Sequence, residues 1–123
     1  LLDVLGNNGV GGIVFSPLAQ GLLTDKYLKG IPQGSRASKA HGFLRPQNLT
    51  DEVIRKVTSL NELAQSRNQS LAQMAIAWLL RDSRVTSVLI GVSTDAQLED
   101  SVKSLMNIQF SADELTMIDK ILS

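Results

Sequence analysis

Gly11-Gly12-Ile13-Val14-Phe15-Ser16 is the stretch on which the fold turns. It is a short apolar run with β-branched and aromatic residues, bounded by glycine on one side and Pro17 on the other. Such a run reads as a strand buried on both faces, because alternation with polar residues is needed only where one face meets water. Arg84 to Ile90 is a second short run of this kind, rich in Val and Ile. Ahead of the first run, Leu1-Leu2-Asp3-Val4-Leu5 reads as the last turns of a helix, closed by the helix-stop residues Gly6-Asn7-Asn8-Gly9. With no initiator Met before it, this half-helix gives the expectation that the sequence begins inside a larger protein.

Between the two runs the pattern changes twice. Residues 17 to 49 have no sustained period and contain all three prolines together with Gly21, Gly30, Gly34 and Gly42. A loop this long is uncommon in a compact domain and is usually functional or mobile. Thr50 then offers an N-cap, with Asp51 and Glu52 in the first turn where the helix dipole favours acids. Val53, Val57, Leu60 and Ala64 make an apolar stripe at helical spacing, which Arg67-Asn68-Gln69 breaks. Ser70 and Gln73 form a capping box for a following helix whose expected buried face is Leu71, Met74, Ala75, Trp78 and Leu79. After the second strand, Thr94 and Gln97 make another capping box, opening a helix with Leu98, Val102 and Leu105 expected inward. Ser111 and Glu114 cap a last helix carrying Leu115, Ile118 and Leu122 on one face.

Strands alternating with helices point to parallel α/β units. Two strands are too few for a parallel sheet, whose strands need neighbours and cover on both faces. The chain therefore reads as part of a larger α/β domain.

Composition excludes several classes. Twelve basic and twelve acidic residues give a formal net charge of zero, so no nucleic-acid or membrane-surface partner is expected. There is no cysteine, hence no disulfide framework and no thiolate metal site, and the lone His41 cannot make a histidine cluster. No apolar run approaches the ~20 residues of a membrane span. No signal-peptide pattern opens the chain. The cytoplasm is the expected location.

Three segments then carry a resemblance. Phe15-Ser16-Pro17-Leu18-Ala19-Gln20-Gly21 with Leu22-Leu23-Thr24-Asp25-Lys26-Tyr27 resembles the seventh strand and following loop of aldo-keto reductases. The stretch from Ser70 to Leu80 resembles their seventh barrel helix. Val88-Leu89-Ile90-Gly91-Val92-Ser93-Thr94-Asp95-Ala96-Gln97-Leu98-Glu99-Asp100 resembles their eighth strand and helix. The likeness is nearest to the subgroup of bacterial L-glyceraldehyde 3-phosphate reductases and potassium-channel β subunits, and it covers essentially the whole chain. It implies that residues 1 to 123 are the C-terminal portion of one TIM-type (β/α)8 barrel domain, supplying strands seven and eight with their flanking helices.

In such barrels ligands sit at the C-terminal ends of the strands, and phosphates favour the loops after strands seven and eight. The resemblance implies an NADP site built from Ser16, Pro17, Leu18, Gln20, Lys26, Arg36, Gly91, Ser93, Gln97, Asp100 and Ser101. Each assignment has a plainer alternative. Ser16 and Pro17 are turn formers, although a turn of backbone N–H groups with a hydroxyl can also cradle a phosphate. Lys26 and Arg36 are surface cations, although a nucleotide phosphate needs a cation and Arg can grip it bidentately. Asp25, where the subgroup has glycine, would compete with a phosphate for Lys26.

Gln97 is a capping residue, but Ser93 and the helix start behind it also form an anion site of free N–H groups and positive dipole. Ser101 stands where the family has asparagine, and serine lacks the amide's two donors. The family's proton-donating Asp, Tyr, Lys and His come from earlier strands. Tyr27, Lys26 and His41 do not occupy their places, so this chain alone is expected to catalyse nothing. The complete protein is expected to reduce a small carbonyl substrate with NADP, with a homo-oligomer allowed. The alternatives are a non-catalytic cofactor-sensing regulatory subunit and an inactive fragment. The long loop is expected to be poorly ordered without cofactor and to close over it.

Overall fold

The computed structural model describes residues 1–28, 30, 33, 47 and 49–123. Helix α1 (Leu2–Asn7) leads into strand β1 (Gly12–Phe15). Helices α2 (Asp51–Ser66) and α3 (Leu71–Leu80) follow the long loop, then strand β2 (Val85–Leu89), helix α4 (Asp95–Lys103) and helix α5 (Ala112–Leu122).

The helix ends are set by local chemistry. Thr50 accepts from the N–H of Val53, while Ser70 and Ser111 form full capping boxes with Gln73 and Glu114. Helix α1 stops in a Schellman motif: the Val10 N–H donates to Leu5 O, the Gly9 N–H donates to Gly6 O, and Gly9 takes the left-handed conformation that glycine adopts freely. Helix α2 stops the same way around Asn68, with Gln69 N–H donating to Ala64 O and Asn68 N–H to Gln65 O.

β1 and β2 pair in parallel, Phe15 opposite Leu89 and Val14 opposite Val88. At the lower end the register slips by one residue. Gly12 faces Val85 but Ile13 faces Ser87, so Thr86 has no partner. A Cβ on Gly11 would lie 2.0 Å from the Thr86 hydroxyl oxygen, so the bulged side chain occupies the space that glycine leaves. Arg84 braces this end, with ion pairs of 2.6 Å to both Asp3 and Asp82. Its hydrogen bonds hold the Asp82 carboxyl well below the usual carboxylate range, and those carboxylates raise Arg84 in turn.

The core lies among the helices. Val57, Leu60, Leu63, Ala64, Leu71, Met74 and Ile118 form one buried cluster, with Trp78 and Phe110 packed at its edge. Arg67 joins α2 to the segment before α5. It donates to the carbonyls of Asn107 and Gln109 and to Gln69 Oε1, and it stacks 3.7 Å from the centre of the Phe110 ring.

Several expectations need correction. The strands are not buried on both faces: Ile13, Phe15 and Leu89 are 71%, 78% and 63% exposed, and among the described residues the main helix contact of the sheet is that of β2 with α3. On α3 the deepest residues are Leu71, Met74, Ile76 and Ala77, whereas Ala75, Trp78 and Leu79 are half-buried. Ile76 and Ala77 are buried outside the main cluster, and α3 also meets β2 and α4, contacts that a single stripe cannot reveal. Leu98, Val102 and Leu105 are exposed rather than inward. α4 instead meets α3 through its polar side, burying Ser101, with Ser104 buried in the 3-10 turn Ser104–Met106 that follows. Leu122 is also exposed, leaving Ile118 as the buried residue of α5. The first part of the long loop carries 3-10 turns at Ala19–Gly21 and Asp25–Tyr27. Its later part, including Arg36 and His41, lies outside the described residues.

Candidate functional site

Parallel pairing sends both strands out of the sheet at the same edge. Phe15 and Leu89 are partners, so Ser16 and Ile90 are the next residues of two adjacent chains leaving together. The segment after β1 turns sharply. Ser16, Ala19 and Gln20 all have positive φ (55°, 45° and 60°), followed by Gly21 at 96°. Non-glycine residues enter this region rarely and at a cost, and such residues cluster where ligands bind. The turn is closed by Ala19 N–H to Ser16 O at 3.0 Å and Gly21 N–H to Leu18 O at 2.8 Å.

Tyr27 pins the loop down. It is buried against Leu22, Leu49 and Ile54, which attaches the loop to α2. Thr24 donates to Gly21 O and accepts from the Lys26 N–H, building the short turn from which Lys26 projects. Lys26 is exposed and makes no ion pair among the described residues, Asp25 included. Beneath the loop an apolar cavity of about 180 Å³ runs between Pro17, Leu23, Leu71, Met74 and Trp78. Its lining offers nothing to a charged group.

The segment after β2 supplies the second half. Gly91, Ser93 and Gln97 are exposed at the start of α4. The Gln97 N–H donates to Thr94 Oγ1 at 3.3 Å, but the Gln97 carboxamide oxygen accepts from the Ser93 N–H at 2.8 Å. The expected capping box is thus half formed, and its second arm reaches one residue further back. Gln97 keeps its two amide donors, and the Ser93 hydroxyl is unpartnered among the described residues.

Asp100 and Ser101 follow one turn later on α4, where they meet α3. Asp100 accepts from Gln73 Nε2 at 2.6 Å and from Ser70 Oγ at 3.1 Å, and Ser101 is buried on the same α3-facing side. Helical spacing sets Asp100 and Ser101 within about 60° and 40° of the Gln97 direction, one turn further along the same face of α4. Reading the sequence alone misses the Gln73–Asp100 contact because its partners sit 27 residues apart. It also misses the left-handed Ala19, for which the only signal is the neighbouring Gly21. Among the described residues no group of three or more His, Cys, Asp or Glu side chains could hold a metal ion, and no helix is long and apolar enough to cross a membrane.

The family model for the aldo/keto reductase family matches residues 1–123, and the chain belongs to that family. It is 57% identical over 124 residues to the L-glyceraldehyde 3-phosphate reductase of Escherichia coli strain K12, covering 98% of this chain and 36% of that protein. It is 40% identical over 106 residues to a probable voltage-gated potassium channel subunit beta of Arabidopsis thaliana, covering 85% of this chain and 32% of that one. The solved glycerol dehydrogenase of Gluconobacter oxydans superimposes on 99% of the chain with a TM-score of 0.76 at 22% identity, which shows a shared fold. The chain spans about a third of the length of the curated relatives it matches.

Proposed function

We propose that the chain is the C-terminal portion of a (β/α)8 barrel, strands seven and eight with their helices, and that it forms one side of an NADP site in a carbonyl reductase. The observation that carries this reading is the parallel pairing of β1 with β2, which delivers two turn segments with phosphate-binding character to one sheet edge. The turn of Ser16, Pro17, Leu18 and Gln20, in which Ser16 and Gln20 are left-handed, would lie along the diphosphate. Lys26, free of any ion pair among the described residues, would supply positive charge, with Arg36 as a second cation from the loop. Gly91, Ser93 and Gln97 would hold the 2′-phosphate at the start of α4, where the dipole is favourable. Asp100 and Ser101 seat α4 on α3.

When bound, the nicotinamide supplies hydride to the carbonyl carbon of an aldehyde or ketone. This chain's residues bind and orient. Tyr27, buried in the loop anchor, is not placed to donate a proton to a substrate. The general acid belongs to the remainder of the barrel. The higher identity to a reductase than to a channel subunit favours catalysis in the complete protein.

The test is to titrate NADP and NAD into the full-length protein and its Ser93→Ala variant. No Lys or Arg lies between Gly91 and Asp100, whereas Asp95 and Glu99 are acidic, so the NADP preference rests on neutral donors and on the loop cations. A neutral hydrogen bond contributes about 1 kcal/mol, so Ser93→Ala is expected to weaken NADP several-fold and leave NAD nearly unchanged. Equal weakening of both would make Ser93 a structural turn residue and refute the assignment.

A further inference from the structure

The capping box of α3 closes on a residue of another helix. Ser70 N–H donates to Gln73 Oε1 and Gln73 N–H donates to Ser70 Oγ, both at 3.1 Å. The Ser70 hydroxyl proton and one of the two Gln73 amide protons then go to Asp100: Gln73 Nε2 at 2.6 Å and Ser70 Oγ at 3.1 Å, one to each carboxylate oxygen. The carboxylate also sits at the N-terminus of α3, where the helix dipole favours negative charge. Asp100 is three residues past Gln97, one turn along α4. The opposite side of α4 carries the exposed Leu98 and Val102, so among the described residues α4 is held through Asp100 and the buried Ser101.

We propose that Asp100 and Gln73 are positioning residues for the 2′-phosphate end of the cofactor site: their pair fixes the rotation of α4 about its axis, and with it the direction of Gln97 and of the Ser93 turn that Gln97 holds. The inference rests on the NADP reading above. It gives an acidic residue beside an anion site a favourable role, because its charge is engaged by α3.

The geometry supplies variants that separate the pair from the cap. Gln73→Glu keeps a capping-box residue at this position but sets a carboxylate against Asp100. Asp100→Ala removes the acceptor, and Asp100→Asn keeps its shape and one acceptor oxygen. In the double variant Gln73→Glu with Asp100→Asn, the asparagine amide donates to the new glutamate and the bridge is rebuilt in reverse.

Affinities for NADP and NAD are measured on the full-length protein and these four variants, with thermal melting alongside. Asp100→Ala and Gln73→Glu are expected to weaken NADP by roughly tenfold, the scale of one charge-assisted hydrogen bond, with a much smaller change for NAD. The double variant is expected to return to within about twofold of the starting protein. Lower melting temperatures with both affinities unchanged would overturn the proposal and leave the pair purely structural. Equal loss of NADP and NAD would also overturn it, by assigning Asp100 to the shared adenosine. If the unsubstituted protein binds neither cofactor, the NADP reading itself falls and the positioning role with it. A protein that prefers NADP yet ignores these substitutions sinks the positioning role alone.

Discussion

The guanidinium of Arg67 and the carboxylate of Glu114 meet at 2.6 Å across the joint between α2 and α5. The arginine side chain is only 3% exposed, and its remaining donors go to Gln69 and to the carbonyls of Asn107 and Gln109. The planar fork serves four acceptors at once, which lysine cannot do.

Replacing Arg67 by Met should therefore cost about 3 kcal/mol in a urea titration, because it strands a carboxylate and two carbonyls in a partly dry joint. Arg67→Lys should recover less than half of that loss. A loss below about 0.5 kcal/mol for Arg67→Met would mean that water replaces the guanidinium without penalty.

The same joint should respond to acid. Burial pushes the Glu114 carboxyl up, but hydrogen bonds from Ser111 and Arg67 outweigh it and hold the group below its ordinary 4.5. A carboxyl depressed in the folded state contributes stability that is present above its unfolded value and lost as pH falls through the folded one. Stability should thus decline below about pH 4.5. Glu114→Gln should flatten part of that decline, as read by urea midpoints between pH 7 and pH 3.

Gly11 is predicted to be intolerant of any side chain. Its added Cβ would meet the Thr86 hydroxyl oxygen at 2.0 Å, with the Thr86 Cβ at 3.2 Å behind it. Gly11→Ala should destabilise by about 1–3 kcal/mol, the usual range for overpacking. Adding Thr86→Ala should restore part of the loss but not all, since the Cβ contact stays. Additive effects of the two substitutions in thermal melts would show that they do not touch.

Residues 1 to 123 in isolation should self-associate. Ile13, Phe15 and Leu89 on the sheet and Leu98, Val102 and Leu105 in the α4 region expose apolar surface beside an unpaired strand edge. Sedimentation combined with the near-ultraviolet dichroism of Trp78 checks this. A monodisperse monomer with a sharp aromatic signal and a cooperative melt would contradict it.

What the sequence tells and withholds follows the range of the interactions. The caps at Thr50, Ser70 and Ser111 are legible because each bonds a residue three positions on. The strands are legible because Ile13, Val14 and Phe15 leave no polar alternation. The inward side of α4 is not legible, since the stripe of Leu98, Val102 and Leu105 records an apolar face but not which neighbour covers it. Ser101 and Ser104, the residues that do meet α3, look like surface. Arg67 reads as a helix breaker because its partners lie some forty residues away. At the site, Ser16, Gln20, Ser93 and Gln97 are within reach of motif reading, but the orientation of Asp100 depends on Gln73 and only the folded chain reveals it.

The unpaired Thr86 has a consequence for which faces the rest of this strand presents. Side chains alternate along a strand, so Val85 and Val88 would ordinarily face opposite ways. The extra residue resets the count between them, and both are covered while Thr86, Ser87 and Leu89 are exposed. The correction is made at the entrance to β2, before the chain reaches the edge where Ile90 and Gly91 emerge. The bulge thereby sets the phase in which the chain reaches the turn that follows. Without the extra residue, Val88 and the residues after it would present the opposite faces.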